Sequence, residues 1–267
     1  MVVGAPDTGK STFARYLFKR LSGEGLRVAY LDGDPGQSTL GPPTTLSLVI
    51  AHPGERRFPP AGQIWRWFIG SVSPHGHMLP LLVAAARLVR VGLEGGADVV
   101  VYDTCGLIDP NQGGMALKLA KIDLLQPQVL YAIQISDELE PLLIPMRRSK
   151  RARVVDLSSS SAVIPRVQAA RQAYRAEQFA GYFRKAGRVD ISWSSQPVFP
   201  APRFALNRLV SLDDANGFAL GLGIVLNVNR QMQSVELLTP LPSLEGVQSI
   251  TLGDISLDRE TFRDSMI

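Results

Sequence analysis

The chain has 267 residues, 45% hydrophobic and 19% charged, enough apolar material for one large α/β domain with a small appendage and too much for a disordered or fibrous protein. One cysteine and three histidines exclude a disulfide framework and a multi-Cys zinc site and point to a reducing, cytoplasmic setting. Apolar stretches such as Met78–Val89 are too short or interrupted for a membrane span, so no membrane partner is expected. The 28 Lys and Arg exceed the 24 Asp and Glu, giving +4, a mild lean toward anionic partners.

Val2-Val3 reads as the end of an apolar strand, Gly4 to Thr12 as a loop, and Phe13 to Leu21 as a helix ended by Gly23 and Gly25. Met1 leads straight into this loop rather than into a basic and apolar leader, and a strand stub this short raises the expectation of a truncated start. Residues 27–31 form a second strand candidate running into Asp32-Gly-Asp34-Pro-Gly-Gln37. Prolines and glycines fill 41–62, which reads as a long surface excursion. Then come a helix over 79–92, a β-branched strand over 97–102, a helix over 118–125, a strand over 129–135, a helix over 138–146 and a strand over 153–157. Strands alternating with helices predict a parallel, helix-covered sheet. The pattern changes near residue 196, where Gln196-Pro-Val-Phe-Pro-Ala-Pro202 reads as a boundary. Residues 1–195 are accordingly assigned to the α/β unit and 203–267 to a small β-rich module.

Gly4-Ala-Pro-Asp7-Thr8-Gly9-Lys10-Ser11 matches G-x-x-x-x-G-K-[ST] in full, between a strand and a helix. In such a loop, backbone N–H groups turn inward around a phosphate and the helix N-terminus adds partial positive charge. Gly4, Asp7, Thr8, Gly9, Lys10, Ser11 and Thr12 therefore bind a nucleoside triphosphate, ATP or GTP. Lys10 reaches the β- and γ-phosphates, and Ser11 ligates Mg²⁺. Asp103 follows a buried strand at its C-terminal end and either helps hold Mg²⁺ or forms a loop cap. Asp32 and Asp34 end the preceding strand: a carboxylate there either accepts a proton from an attacking hydroxyl, orients the waters of the metal, or simply makes an Asp-Pro-Gly turn. Gln37 adds a donor and an acceptor beside them.

Lys10, then Asp34-Pro-Gly-Gln37, then Asp103-Thr104-Cys105-Gly106 together resemble the RNA 5′-hydroxyl polynucleotide kinases. That family contains the pre-mRNA cleavage and tRNA-splicing kinase, the rRNA-processing kinase and shorter archaeal and bacterial relatives. Phe68-Ile-Gly-Ser-Val-Ser-Pro74 is similar to an aromatic-x-G-x-x-(S/T)-P segment of the family. Val163-Ile-Pro-Arg166, with Arg171, Arg175 and Tyr182-Phe183, is similar to its arginine-bearing lid and following helix. The likeness spans residues 1–185. It implies a P-loop NTPase fold and an ATP/GTP- and Mg²⁺-dependent transfer of the γ-phosphoryl to the 5′-hydroxyl of single-stranded RNA or DNA. It also implies that Asp34 activates the hydroxyl and that Gln37 lies close to acceptor and metal. From the residues themselves, Thr104 and Gly106 are read beside the acceptor and Asp32 with Ser11 and Asp103 near the metal. Arg166 and Arg171 would close over the transferring group, although both also fit a solvated helix face. Leu107 stands where the eukaryotic kinases carry a base-stacking tryptophan.

Several other features carry less. Arg147–Arg153 holds five positive charges in seven residues and fits either a nucleic-acid backbone contact or a solvated loop. His75-Gly-His77 reads as a helix entry, and Cys105 as a small residue in a tight loop without a basic partner. Trp65 and Trp67 are read as one core and one exposed ring. Two other classes of function stay open: a nucleotide-driven switch or assembly factor, and a non-catalytic nucleotide-binding scaffold. The chain contains no N-K-x-D guanine-reading motif, which disfavours a regulatory GTPase.

Overall fold

The computed structural model describes residues 1–267 as two sheets joined by a helix. Chain order begins β1 (Val2–Gly4), α1 (Lys10–Gly23), β2 (Val28–Gly33), β3 (Thr45–Ile50), β4 (Ile64–Phe68), α2 (Met78–Glu94) and β5 (Val99–Thr104). After a 3₁₀ turn at 110–112 follow α3 (Gly114–Leu125), β6 (Val129–Gln134), α4 (Glu140–Ser149), β7 (Arg153–Ser158) and α5 (Gln168–Phe183). The first sheet runs β4-β3-β2-β5-β1-β6-β7. Its five strands from β2 to β7 are parallel, while β3 and β4 are antiparallel at one edge.

Val28-Ala-Tyr-Leu31 and Val99-Val-Val-Tyr102 are apolar at every position because both faces are covered. Val28 and Tyr30 pack on α1 with Ala14 and Phe18. Ala29 and Leu31 face α2 with Leu81, Ala84 and Leu88 on the other side, and Val3 faces α3 and α4 through Ile122, Leu142 and Leu143. β1 lies between β5 and β6, so its C-terminal end opens onto the crevice where ligands of parallel sheets collect.

The reading of 41–62 as a surface excursion is corrected. Thr45–Val49 is a buried strand, paired through Ala29↔Ile50 and Thr45↔Phe68 with β2 and β4. The prolines and glycines on either side of it make the turns that deliver a short antiparallel edge, so local composition masked a strand. Trp65 and Trp67 are two residues apart in β4 and thus share one face. Both are half-buried against the α2 side of the core, and the Trp67 ring sits 5.4 Å from Phe218.

The second sheet contains β8 (Gly187–Ser192), β9 (Val198–Phe199), β10 (Arg208–Asp213), β11 (Ala219–Asn229), β12 (Ser234–Thr239), β13 (Ser249–Leu257) and β14 (Asp264–Met266). Its strand order is β14-β13-β10-β11-β12-β8, and β9 is added in parallel to β13. β8 pairs antiparallel with β12, so sheet membership changes just after α5, ahead of the proline-rich 196–202. That stretch carries the short edge strand β9, where prolines are tolerated because no ladder needs their missing N–H. α5 ties the sheets together. Its Phe179 and Phe183 are buried with Phe68 of β4 and with Leu209, Leu222 and Ile255 of the second sheet. No helix is long and apolar enough to cross a membrane.

Candidate active site

The loop from β1 to α1 turns on residues suited to it. A Cβ on Gly4 would lie 2.4 Å from the Ile133 carbonyl and 2.7 Å from Thr8 Oγ1, and Gly9 has φ of 90°. Asp7 also adopts positive φ, 53°. Thr8 donates from Oγ1 to the Ala5 carbonyl at 3.0 Å, and Lys10 folds its amine back onto the same carbonyl. Lys10 is only 6% exposed. Burial and the nearby Lys118 charge lower its pKa, opposed by Asp103 and Asp34.

This loop forms one wall of a cleft of about 990 Å³. Asp7, Thr8, Gly9, Lys10, Ser11, Thr12, Asp34, Gln37, Gly106, Arg166 and Arg171 all line it. The cleft also reaches Val72–Pro74, within the segment quoted for the family likeness. Residues far apart in sequence thus meet around the loop.

Four predicted residues lie beneath the cleft rather than on it. Gly4 is the tight floor position just described. Asp103 is 4% exposed. Its Oδ2 accepts from the Tyr30 hydroxyl at 3.2 Å, while Oδ1 is buried without a hydrogen-bond partner. Burial and Asp32 push its pKa to about 6, against the pull of Ser11 and Lys10. An orphaned carboxylate oxygen beside a serine hydroxyl and a phosphate loop is the hard-oxygen environment Mg²⁺ takes. No cluster of three or more His, Cys, Asp or Glu is present.

Asp32 is tied into the turn that follows it. Its Oδ2 accepts from the N–H groups of Thr39 (2.6 Å) and Leu40 (3.1 Å) and from the hydroxyls of Ser38 and Thr39. With that oxygen saturated, Asp32 fixes the turn after the Asp-Pro-Gly element at 2% exposure, and its Oδ1 meets only the Asp34 N–H, at 3.5 Å. Thr104 is likewise buried, with Oγ1 donating to the Val2 carbonyl at 2.8 Å and accepting from Lys118. It holds β5 to β1.

Asp34 does make the turn. Oδ1 accepts from Gly36 N–H at 2.9 Å and Gln37 N–H at 3.1 Å. The same carboxylate nevertheless lines the cleft, so the turn reading and the catalytic reading are compatible: one oxygen fixes the loop and the other is left for chemistry. Gly36 is required there, since a Cβ would meet the Val72 carbonyl at 2.5 Å.

The lid segment closes onto the loop through Asp7. Its Oδ2 accepts from Arg166 N–H at 3.0 Å and from the Arg171 guanidinium at 2.6 Å. Arg166 Nη1 donates to Gln37 Oε1 at 3.4 Å, and its guanidinium carbon lies 5.9 Å from the centre of the Tyr174 ring. Tyr174 donates to the Ser38 carbonyl at 2.8 Å. Arg175, one turn after Arg171, also lines the cleft and forms a two-bond pair with Asp264 of the second sheet, 2.8 and 3.0 Å. Arg171 and Arg175 are thus half-buried in ion pairs, while Arg166 is exposed.

Sequence reasoning missed Lys118 and Lys121. Both are fully buried on α3. Lys118 Nζ donates to Thr104 Oγ1 and to the Cys105 carbonyl, and lies 3.9 Å from the Cys105 thiol, so Cys105 does have a basic neighbour. Lys121 Nζ has no hydrogen-bond partner and sits 5.2 Å over the Tyr102 ring. A signal was available, because these lysines fall on the helix face of Leu117 and Ile122 while Leu119 and Leu124 are exposed. By contrast, the basic run 147–153 is partly spent on ion pairs, Arg147 with Glu140 and Asp156 and Arg151 with Asp123. His77 precedes α2 and contacts Asp254 at 2.9 Å.

Residues 4–185 match the family described as the P-loop of the mRNA cleavage and polyadenylation factor CLP1. The chain belongs to this family. Among CLP1-related proteins, the polyribonucleotide 5′-hydroxyl-kinase of Pyrococcus abyssi is 26% identical, over 96% of this chain and 86% of the relative. That of Methanocaldococcus jannaschii is 23% identical, over 97% and 86%. The structure of wild-type Clp1p bound to Pcf11p superposes with a TM-score of 0.71 at 12% identity, covering 96% of this chain and 73% of that one. The CLP1 P-loop architecture is thus retained at low sequence identity.

Proposed function

We propose that this chain is a polynucleotide 5′-hydroxyl kinase that transfers the γ-phosphoryl of ATP or GTP to the 5′-hydroxyl of single-stranded RNA. One observation carries the reading: the lid arginines and the Asp34–Gln37 turn converge on the phosphate loop within one cleft. The relatives named polyribonucleotide 5′-hydroxyl-kinases support the same assignment.

The residues divide the work. Loop N–H groups and Lys10 bind the phosphates. Ser11 and Asp103 would hold Mg²⁺, which when bound would supply charge neutralisation to the triphosphate. Asp34 uses its free oxygen to accept the proton of the acceptor hydroxyl, and Gln37 positions that end. Arg171 and Arg166 exchange Asp7 and Gln37 for the transferring group, where positioned positive charge is worth most.

The acceptor is tested with matched RNA and DNA oligonucleotides bearing either a 5′-hydroxyl or a 5′-phosphate, and γ-labelled ATP or GTP. Label should enter only the 5′-hydroxyl oligonucleotides, with RNA preferred. Equal phosphate release in the presence and absence of every oligonucleotide would instead favour the nucleotide-driven switch.

A further inference from the structure

The kinase reading puts a nucleoside triphosphate in the cleft, and resting on that reading, the cleft also indicates where the base goes. The γ-phosphate end points toward Asp103 and Asp34, on the β5 and β2 side of β1. The nucleoside must then leave on the opposite side, toward β6 and β7. There the cleft is walled by Phe13 and Tyr16 of α1, floored by Ile133 and Leu157 at the strand ends, and bordered by Ile164 of the lid. Phe13 lies 5.1 Å from Tyr131 of β6 and 6.1 Å from Tyr16, which fixes this face of α1 toward β6. Tyr16 stands one helical turn beyond Thr12, a position just past the phosphate-binding turn.

Tyr16 is 59% exposed and Ile164 83% exposed, although both line the cavity. Large apolar side chains left in water at a cleft mouth are surfaces waiting for a flat apolar partner. We propose that Tyr16 is the stacking platform for the nucleobase, with Ile164 of the lid closing on the opposite face. Ser158 and Ser160 also line the cleft, and their hydroxyls are not the carboxylate or carboxamide that reads the edge of one base. Stacking is tolerant of base identity because every base presents a π face.

The test measures binding without an acceptor. Mg²⁺-ATP and Mg²⁺-tripolyphosphate, which has no base, are titrated into the wild type, Tyr16→Ala and Tyr16→Phe. The platform predicts that Tyr16→Ala weakens ATP about tenfold, and that Tyr16→Phe stays within about twofold of the wild type. Tripolyphosphate binds all three proteins alike. ATP binding unchanged in Tyr16→Ala, or tripolyphosphate weakened equally, overturns the proposal. Since no phosphoryl transfer is read, failure of the kinase assignment leaves these outcomes interpretable, and failure of the platform leaves the kinase assignment standing.

Discussion

Replacing Lys118 by Met should change how stability depends on pH. The Lys118 amine is fully enclosed beneath the Asp103–Gly106 loop, and burial, reinforced by Lys121 and opposed by Cys105, lowers its pKa from 10.5 to about 8. A folded pKa below the unfolded one means that the unfolded chain binds more protons between about pH 8 and 10.5, so stability rises with pH across that window. Below it, holding the ammonium in the interior costs about 3 kcal/mol at roughly 1.4 kcal/mol per pH unit. Between pH 8 and 10 the wild type should therefore regain about 2 kcal/mol from this group alone. Lys118→Met lacks that share of the rise. Its loss of the bonds to Thr104 and Cys105 should also slow catalysis by loosening the loop. Urea unfolding of both proteins, followed by tryptophan fluorescence at pH 8, 9 and 10, measures the difference. Parallel stability curves would refute the reasoning, because they would mean that the amine is solvated or already neutral.

Other substitutions follow from the packing. Gly33→Ala would drive a Cβ to 2.2 Å from the Tyr102 ring and 2.8 Å from the Asp103 carbonyl, so a loss of about 1–3 kcal/mol is expected in chemical denaturation. Gly181→Ala, on α5 with nothing within 4 Å, should instead add up to about 1 kcal/mol, from helix propensity. Asp264→Ala strips Arg175 of both bonds at a site where the pair is 14% and 7% exposed. A cost of about 3 kcal/mol is expected in the same assay. Arg171→Ala should lower kcat by about a hundredfold or more with a smaller change in KM, as steady-state kinetics would register, because its charge acts mainly on the transferring group.

The parts of the site that were legible in the sequence are local. The phosphate loop and the Asp34–Gln37 turn each occupy fewer than ten consecutive residues, and their backbone demands select glycine, proline and aspartate directly. The alternation of α and β was also legible, because strands buried on both faces must be apolar throughout. Contacts across the chain were not. Nothing near Asp7 announces Arg171, 164 positions away, and nothing near Asp32 announces that the following turn saturates its carboxylate. The antiparallel strand at Thr45–Ile50 was hidden by its own turns. Lys118 and Lys121 were passed over because lysine is so seldom buried, even though their spacing on α3 placed them with the apolar residues.

The central claim is that the cleft moves a phosphoryl group from a nucleoside triphosphate onto a 5′-hydroxyl with Asp34 taking the proton. A single-turnover assay tests it most directly: γ-labelled ATP is mixed with excess protein and a 5′-hydroxyl RNA, and the label on the RNA end is quantified for wild type, Asp34→Ala and Lys10→Ala. The account predicts rapid labelling by the wild type, ATP bound but not transferred by Asp34→Ala, and weakened ATP binding by Lys10→Ala. Undiminished end-labelling by Asp34→Ala, or label released by the wild type only as free phosphate, would contradict it.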